Sequence, residues 1–323
     1  MYQQPPSVGR HVLYQVILFC TSLVVLYPIL WVVKIALTPS QAFSMDPWPF
    51  PFEIFFENKE LISESDTTRR IGLIFESNAT LENFKNVTGF GQDMPSSWNE
   101  IQELTRGEKV WMFGYQLFNS LIVSILTSIV GVILSCTSAY AMSRFAFPGR
   151  DAGMSFFLVT QMFPGVVMAI PLYILMEQFG LLNSISGLAL AYASTAIPFC
   201  TWNLKGYFDT IPKELEEAAR MDGASQWVIF TQIVLPLSKP ALAVTALFSF
   251  MTAWNEFILA QTFISDETAY TLPVLLNSYV GDYNTEWGNF AAGAIIASVP
   301  VMLLFFMLQR YLVEGLTAGA VKG

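Results

Sequence analysis

The 323-residue chain is 54% hydrophobic and only 13% charged, with 27 phenylalanines, which is too apolar for a water-soluble globular domain and fits a chain whose solvent is lipid. A formal net charge of −9 sets nucleic acid aside as a partner, because a phosphate backbone demands an excess of Lys and Arg. Cys20, Cys136 and Cys200 all fall within apolar stretches and read as small buried hydrophobes; with His11 the single histidine, little remains from which to build a metal site or a histidine-dependent triad.

Along the chain, six runs are long enough for the roughly 20 residues that a helix needs to cross hydrocarbon. Val12 to Val33, Val110 to Ser143, Ala152 to Met176, Gln178 to Leu204 and Trp287 to Gln309 are free of Asp, Glu, Lys and Arg, and Pro240 to about Ser265 carries one acid, Glu256. The first run is longer than the apolar part of a signal peptide, and no small-residue cleavage site follows Tyr27, Pro28 and Trp31, so it reads as a retained helix. The expected class is an all-α integral membrane protein with six transmembrane helices and a long external loop after the first. Residues 1–36 hold the N-terminus and first helix, 37–116 the loop, and 117–323 a core of five helices.

Lys and Arg flanking the spans set the orientation. With the N-terminus inside, the inside segments hold Arg10, then Arg144 and Arg150, then Lys205, Lys213, Arg220 and Lys239, then Arg310 and Lys322. The short outside loops around Glu177 to Ile185 and Asp266 to Glu286 hold none, so both termini are expected on the cytoplasmic side. The loop 37–116 is too long for this rule to count. It opens on Asp46-Pro47-Trp48-Pro49-Phe50-Pro51-Phe52, which cannot be a helix interior and is expected beside the membrane surface; Thr80-Leu81-Glu82-Asn83-Phe84 resembles a short helix start.

The inside loop at 209–236 carries the most information. Asp209 or Thr210 can cap a helix with Pro212 and several acids in its first turn, and Gly223 can supply the left-handed residue that ends it. Ser225 can cap a second helix, which Pro236 would terminate. On the first helix Leu215, Ala218 and Ala219 share a face, while Glu216 and Arg220 can pair at i, i+4. By periodicity alone this is a solvated surface helix.

The wording of the loop goes further. Glu217-Ala218-Ala219, Gly223 four residues on, nine residues, then Ile233-Val234-Leu235-Pro236 resembles the EAA loop of binding-protein-dependent ABC importer permeases. Gln161-Met162-Phe163-Pro164, Trp254-Asn255-Glu256-Phe257 and the tail Gly315 to Gly323 are similar to the sugar-importer permeases of the maltose and maltodextrin type, on the smaller of their two permease subunits.

That resemblance implies a type I permease in the bacterial inner membrane, working with a second homologous permease, two copies of an ABC ATPase and an external sugar-binding protein. Leu215, Glu217, Ala218, Ala219, Arg220, Asp222 and Gly223 would couple to the ATPase, and the tail, with Gly315, Thr317, Gly319 and Lys322, would reach the ATPase interface. The chain has no G-x-x-x-x-G-K-[ST] phosphate loop. It is therefore expected to be a non-catalytic subunit that binds no cofactor, with ATP and Mg on the partner. Related permeases carry other oligosaccharides, polyols or glycerol phosphate. An ion-coupled secondary transporter usually shows several intramembrane acids, and an embedded enzyme needs paired carboxylates or His/Cys clusters. Here Glu256 stands alone within a span, with Asn255 and Trp254 beside it as a candidate translocation path or, alternatively, as a structural group bonded to neighbouring backbone.

Overall fold

The computed structural model describes residues 8–38, 80–89, 112–281 and 285–320. In chain order the helices are α1 (Val8–Leu37), α2 (Glu82–Thr88), α3 (Met112–Arg144), α4 (Arg150–Met162), α5 (Gly165–Gln178), α6 (Ile185–Thr210), α7 (Lys213–Met221), α8 (Gln226–Leu237), α9 (Lys239–Trp254), α10 (Ile258–Phe263), α11 (Leu272–Ser278) and α12 (Trp287–Ala320). Among the described residues there is no strand, only the isolated bridge Val280–Thr285.

Four helices, α1, α3, α6 and α12, are long and apolar enough to cross a membrane by themselves, and the count rises to six if each of two bent pairs is one span: α4 with α5 at 107°, and α8 with α9 at 80°. The run Ala152 to Met176 is therefore not one rod. Pro164 has no N–H to give, and Phe163 before it is forced to extended backbone (φ −76°, ψ 132°), so the helix stops and restarts. The fourth span begins at Ile185 rather than Gln178, because the Ser184 side chain accepts from Gly187 N and caps it there. The run from Pro240 to Ser265 is also interrupted, with α9 ending at Trp254 and α10 starting at Ile258.

The chain divides into two units, Met1–Glu108 with Leu276–Ile296, and Lys109–Leu275 with Ala297–Gly323. Within the first, Asn83 of α2 is fully buried and donates its amide to Ala36 O (3.0 Å) and Thr38 O (2.7 Å), so that it ties a short piece of the long loop to the end of α1. The helix expected from Thr80 to Phe84 thus forms, with its first residue at Glu82. The Asp46 to Phe52 stretch lies outside the described residues. Cys20 of α1 is exposed, unlike buried Cys136 and Cys200, because it lies in the stretch of α1 that packs against nothing, while Lys34, Ile35 and Ala36 near the helix end are buried.

In the second unit α3, α6 and α9 pack together most extensively. A Cβ at Gly131 of α3 would sit 2.6 Å from Ser249 Oγ of α9, so any larger residue there would have to turn the Ser249 hydroxyl away. Hydroxyls stitch the three helices: Ser249 Oγ donates to Thr127 O (3.2 Å), Ser128 Oγ to Ala246 O (3.1 Å) and Ser135 Oγ to Ile197 O (3.3 Å). Two apolar clusters result. One joins Val123, Tyr192, Ala253, Phe263 and Val274; the other joins Tyr140, Phe208, Ile229, Phe230 and Val234 beneath the loop that carries α7.

Candidate functional site

Helix α7 opens after Pro212, whose φ of −57° sets the turn, with Glu214 and Glu216 in its first turn and Arg220 in its last, in keeping with the helix dipole. It closes in a Schellman arrangement: Ala224 N donates to Ala219 O (2.9 Å) and Gly223 N to Arg220 O (3.0 Å), with Gly223 at φ 84°. Ser225 Oγ then accepts from Val228 N (3.4 Å) at the start of α8. Pro236 does not end that helix. Leu235 N reaches back five residues to Phe230 O, and this wide π turn over Phe230–Val234 lets the chain pass the proline and run on to Leu237.

The outer face of α7 and its turn is free. Leu215, Glu217, Ala218 and Asp222 are exposed, Met221 is 89% exposed, and Trp227 at the start of α8 is 68% exposed. Ala219 is half-buried against the cluster beneath. An exposed Leu, Met and Trp around small Ala residues form an apolar surface rimmed by acids, the composition expected of a surface that another protein covers.

The inner face is held by charge. Glu216 does not pair with Arg220; its side chain is 2% exposed and takes Arg144 Nε at 2.5 Å, with the Arg144 side chain 3% exposed. Tyr140 OH donates to the other Glu216 oxygen (3.3 Å), and Gln226 Nε2 donates to the Tyr140 hydroxyl. Arg220 is drawn off to Gln226 Oε1 (3.2 Å). Arg144 also gives Nη1 to Ser143 Oγ (2.8 Å) and Nη2 to Ile211 O (3.3 Å). Ser143 in turn donates to Asp209 Oδ1 (2.5 Å), while Lys205 Nζ binds Asp209 Oδ2 (2.7 Å). Asp209 is thus spent on α3 and on its own helix, and does not cap α7. One bonded chain joins the ends of α3 and α6 to α7 and α8. In the sequence Arg144 carried only an orientation signal; the single hint of its partner was the Glu216-Glu217 doublet, whose members must face different sides of a helix.

The candidate path residues divide. Trp254 is 4% exposed, stacks on Phe250 at 5.5 Å between ring centroids and donates Nε1 to Ala297 O (3.2 Å), so its ring offers no free face to a sugar. Asn255 is exposed at the helix break. Glu256 is half-buried and accepts from Leu259 N (3.0 Å to each oxygen) and Ala260 N (3.3 Å), taking up the first amides of α10. Gly315, Thr317 and Gly319 lie in the last turns of α12, and Lys322 lies outside the described residues.

Residues 129–317 match the family described as binding-protein-dependent transport system inner membrane component, a range that contains the whole α7–α8 loop. The chain is 38% identical over 258 residues to the maltose/maltodextrin transport system permease protein MalG of Vibrio vulnificus (strain YJ016), covering 78% of this chain and 84% of that one. It is 42% identical over 213 residues to MalG of Escherichia coli (strain K12), 64% and 72% of the two chains, and 40% identical over 228 residues to the galactooligosaccharides transport system permease protein GanQ of Bacillus subtilis (strain 168), 70% and 81%. Among solved structures, a chain of a bacterial ABC transporter involved in the import of the acidic polysaccharide alginate superposes with a TM-score of 0.66 at 20% identity, over 96% of this chain and 99% of that one. At that identity the likeness speaks to the fold, which is the type I ABC importer permease fold. The chain belongs to the family of binding-protein-dependent transport system inner membrane components and is a multi-pass membrane permease subunit of the ABC importer kind.

Proposed function

We propose that this chain is a MalG-like subunit that moves maltose and maltodextrin-type oligosaccharides inward across the bacterial inner membrane. The observation that carries the reading is the exposed apolar face of α7, on a loop whose inner face is bonded to the ends of two spanning helices, in a chain 38% identical to MalG over 258 residues. The α7 face, with Leu215, Glu217, Ala218, Ala219, Arg220, Asp222 and Gly223, docks on an ABC ATPase present in two copies, where ATP and Mg bind. This chain binds no cofactor and hydrolyses nothing. A second homologous permease completes the pathway, and an external sugar-binding protein meets the loop from Asp266 to Glu286. Both termini lie in the cytoplasm, and the tail from Gly315 reaches the ATPase interface. Closure of the ATPases moves α7 as a rigid body, and the spans rock between inward-open and outward-open arrangements.

The test is reconstitution of this chain with its cognate permease, ATPase and sugar-binding protein in vesicles, followed by uptake of labelled maltotriose. ATP-dependent accumulation is expected, with a galactooligosaccharide competing poorly. Preferential competition by the galactooligosaccharide assigns the substrate class of the GanQ relative instead, and uptake driven by an ion gradient without ATP overturns the reading.

A further inference from the structure

The buried pair between Arg144 and Glu216 is not part of the docking face and adds nothing to the spans' apolar packing, and it is costly to keep. Two ions held at 3% and 2% side-chain exposure give up most of their hydration, and a well-packed apolar pair of similar volume is often as stable or more so. What the pair supplies instead is direction. A guanidinium with Nε on Glu216, Nη1 on Ser143 and Nη2 on Ile211 O is fixed in three directions at once, and the carboxylate is fixed by Arg144 and Tyr140. Apolar packing lets a helix slide; charged groups that lose their partners inside a protein do not slide cheaply.

Accepting that α7 docks on an ATPase, we propose that the Arg144–Glu216 pair, steadied by Tyr140 and Gln226, is the joint that transmits displacement of α7 to α3 and α6. Arg144 and Glu216 are positioning residues: they touch neither sugar nor nucleotide and act by keeping the docked helix and the spanning helices moving as one body. Glu217, one residue on and exposed, belongs to the partner's side of the same helix. The adjacent glutamates thus divide the work, Glu216 inward to the spans and Glu217 outward to the ATPase.

The experiment uses the full complex in vesicles and reads sugar imported per ATP hydrolysed, which a general loss of folded protein does not change. Glu216→Gln and Arg144→Met are each expected to lower that ratio by about tenfold, and the exchanged pair Arg144→Glu with Glu216→Arg to recover most of it. A ratio within twofold of wild type in assembled Glu216→Gln complexes overturns the joint, and so does a reduced ratio that the exchanged pair leaves unrestored. If the single variants do not assemble, Arg144→Lys decides: it keeps a cation for Glu216 but loses the planar fork that also binds Ser143 and Ile211 O, and an unchanged ratio in that variant overturns the joint. Failure of the wild-type complex to import sugar with ATP counts against the proposed function and leaves this comparison apart.

Discussion

Glu256 stands just past the end of α9, in a run where charge is costly, up to about 3 kcal/mol at the centre of a span. The geometry explains its presence: both oxygens point at the amides of Leu259 and Ala260, which the break after Trp254 leaves without helical acceptors. Glu256→Gln keeps one acceptor oxygen and should transport at the wild-type rate per assembled complex. Glu256→Leu strands two amides, at about 1–3 kcal/mol for each buried group, and should reduce the amount of assembled complex recovered from membranes. Altered sugar preference in Glu256→Gln at normal assembly would show instead that the carboxylate lines the path. The sequence could isolate Glu256 as the lone acid of its span but not choose between these roles, because the choice depends on where the helix breaks. The same limit hid the Arg144–Glu216 contact: 72 residues separate the partners, and no local period connects them.

Elements were legible where local chemistry sets them. Gly223 ends α7 in the left-handed region and Ser225 caps α8, both readable from the sequence because a positive φ and a free amide each demand particular residue types. Breaks inside apolar runs were not, because hydropathy sums over α4 and α5 without registering the extended backbone at Phe163. Pro236 misled for the opposite reason, as tertiary packing of Ile229, Phe230 and Val234 holds the π turn that carries the helix past it. At Gly223 a prediction follows from backbone alone. A Cβ there meets nothing within 4 Å, so the cost of Gly223→Val is the strained positive φ, about 1–3 kcal/mol. It should fall on the α7–α8 turn and leave the spans inserted. Sugar-stimulated ATP hydrolysis should drop in the Val variant and be largely kept in Gly223→Asn, since asparagine tolerates that conformation; equal hydrolysis in the Val variant and wild type would remove the turn from the coupling route.

Whole-molecule sidedness can be argued from α3, whose 33 residues give a rod of about 50 Å, longer than the roughly 30 Å of hydrocarbon. Its two ends must therefore lie in different aqueous phases. Near its start Gln116 Nε2 donates to Glu267 O (3.4 Å) and Asn119 Nδ2 to Thr268 O (2.8 Å), which fixes Glu267 and Thr268 at that end. At the other end stand Arg144, the α7–α8 loop, and Arg150 with Asp151, whose side chain is 91% exposed. Basic residues crowd this second end, whereas the short Asp266 to Glu286 segment holds none, and basic residues in short flanking loops are retained in the cytoplasm. In a Cys20→Ser background, where the remaining Cys136 and Cys200 are buried, Glu267→Cys should react with a membrane-impermeant maleimide in intact spheroplasts. Asp151→Cys should react only after the membrane is inverted or permeabilised. Labelling of Asp151→Cys in sealed spheroplasts, with Glu267→Cys protected, would reverse the topology and place α7 on the side of the membrane that holds no ATP, which removes the docking reading together with the orientation.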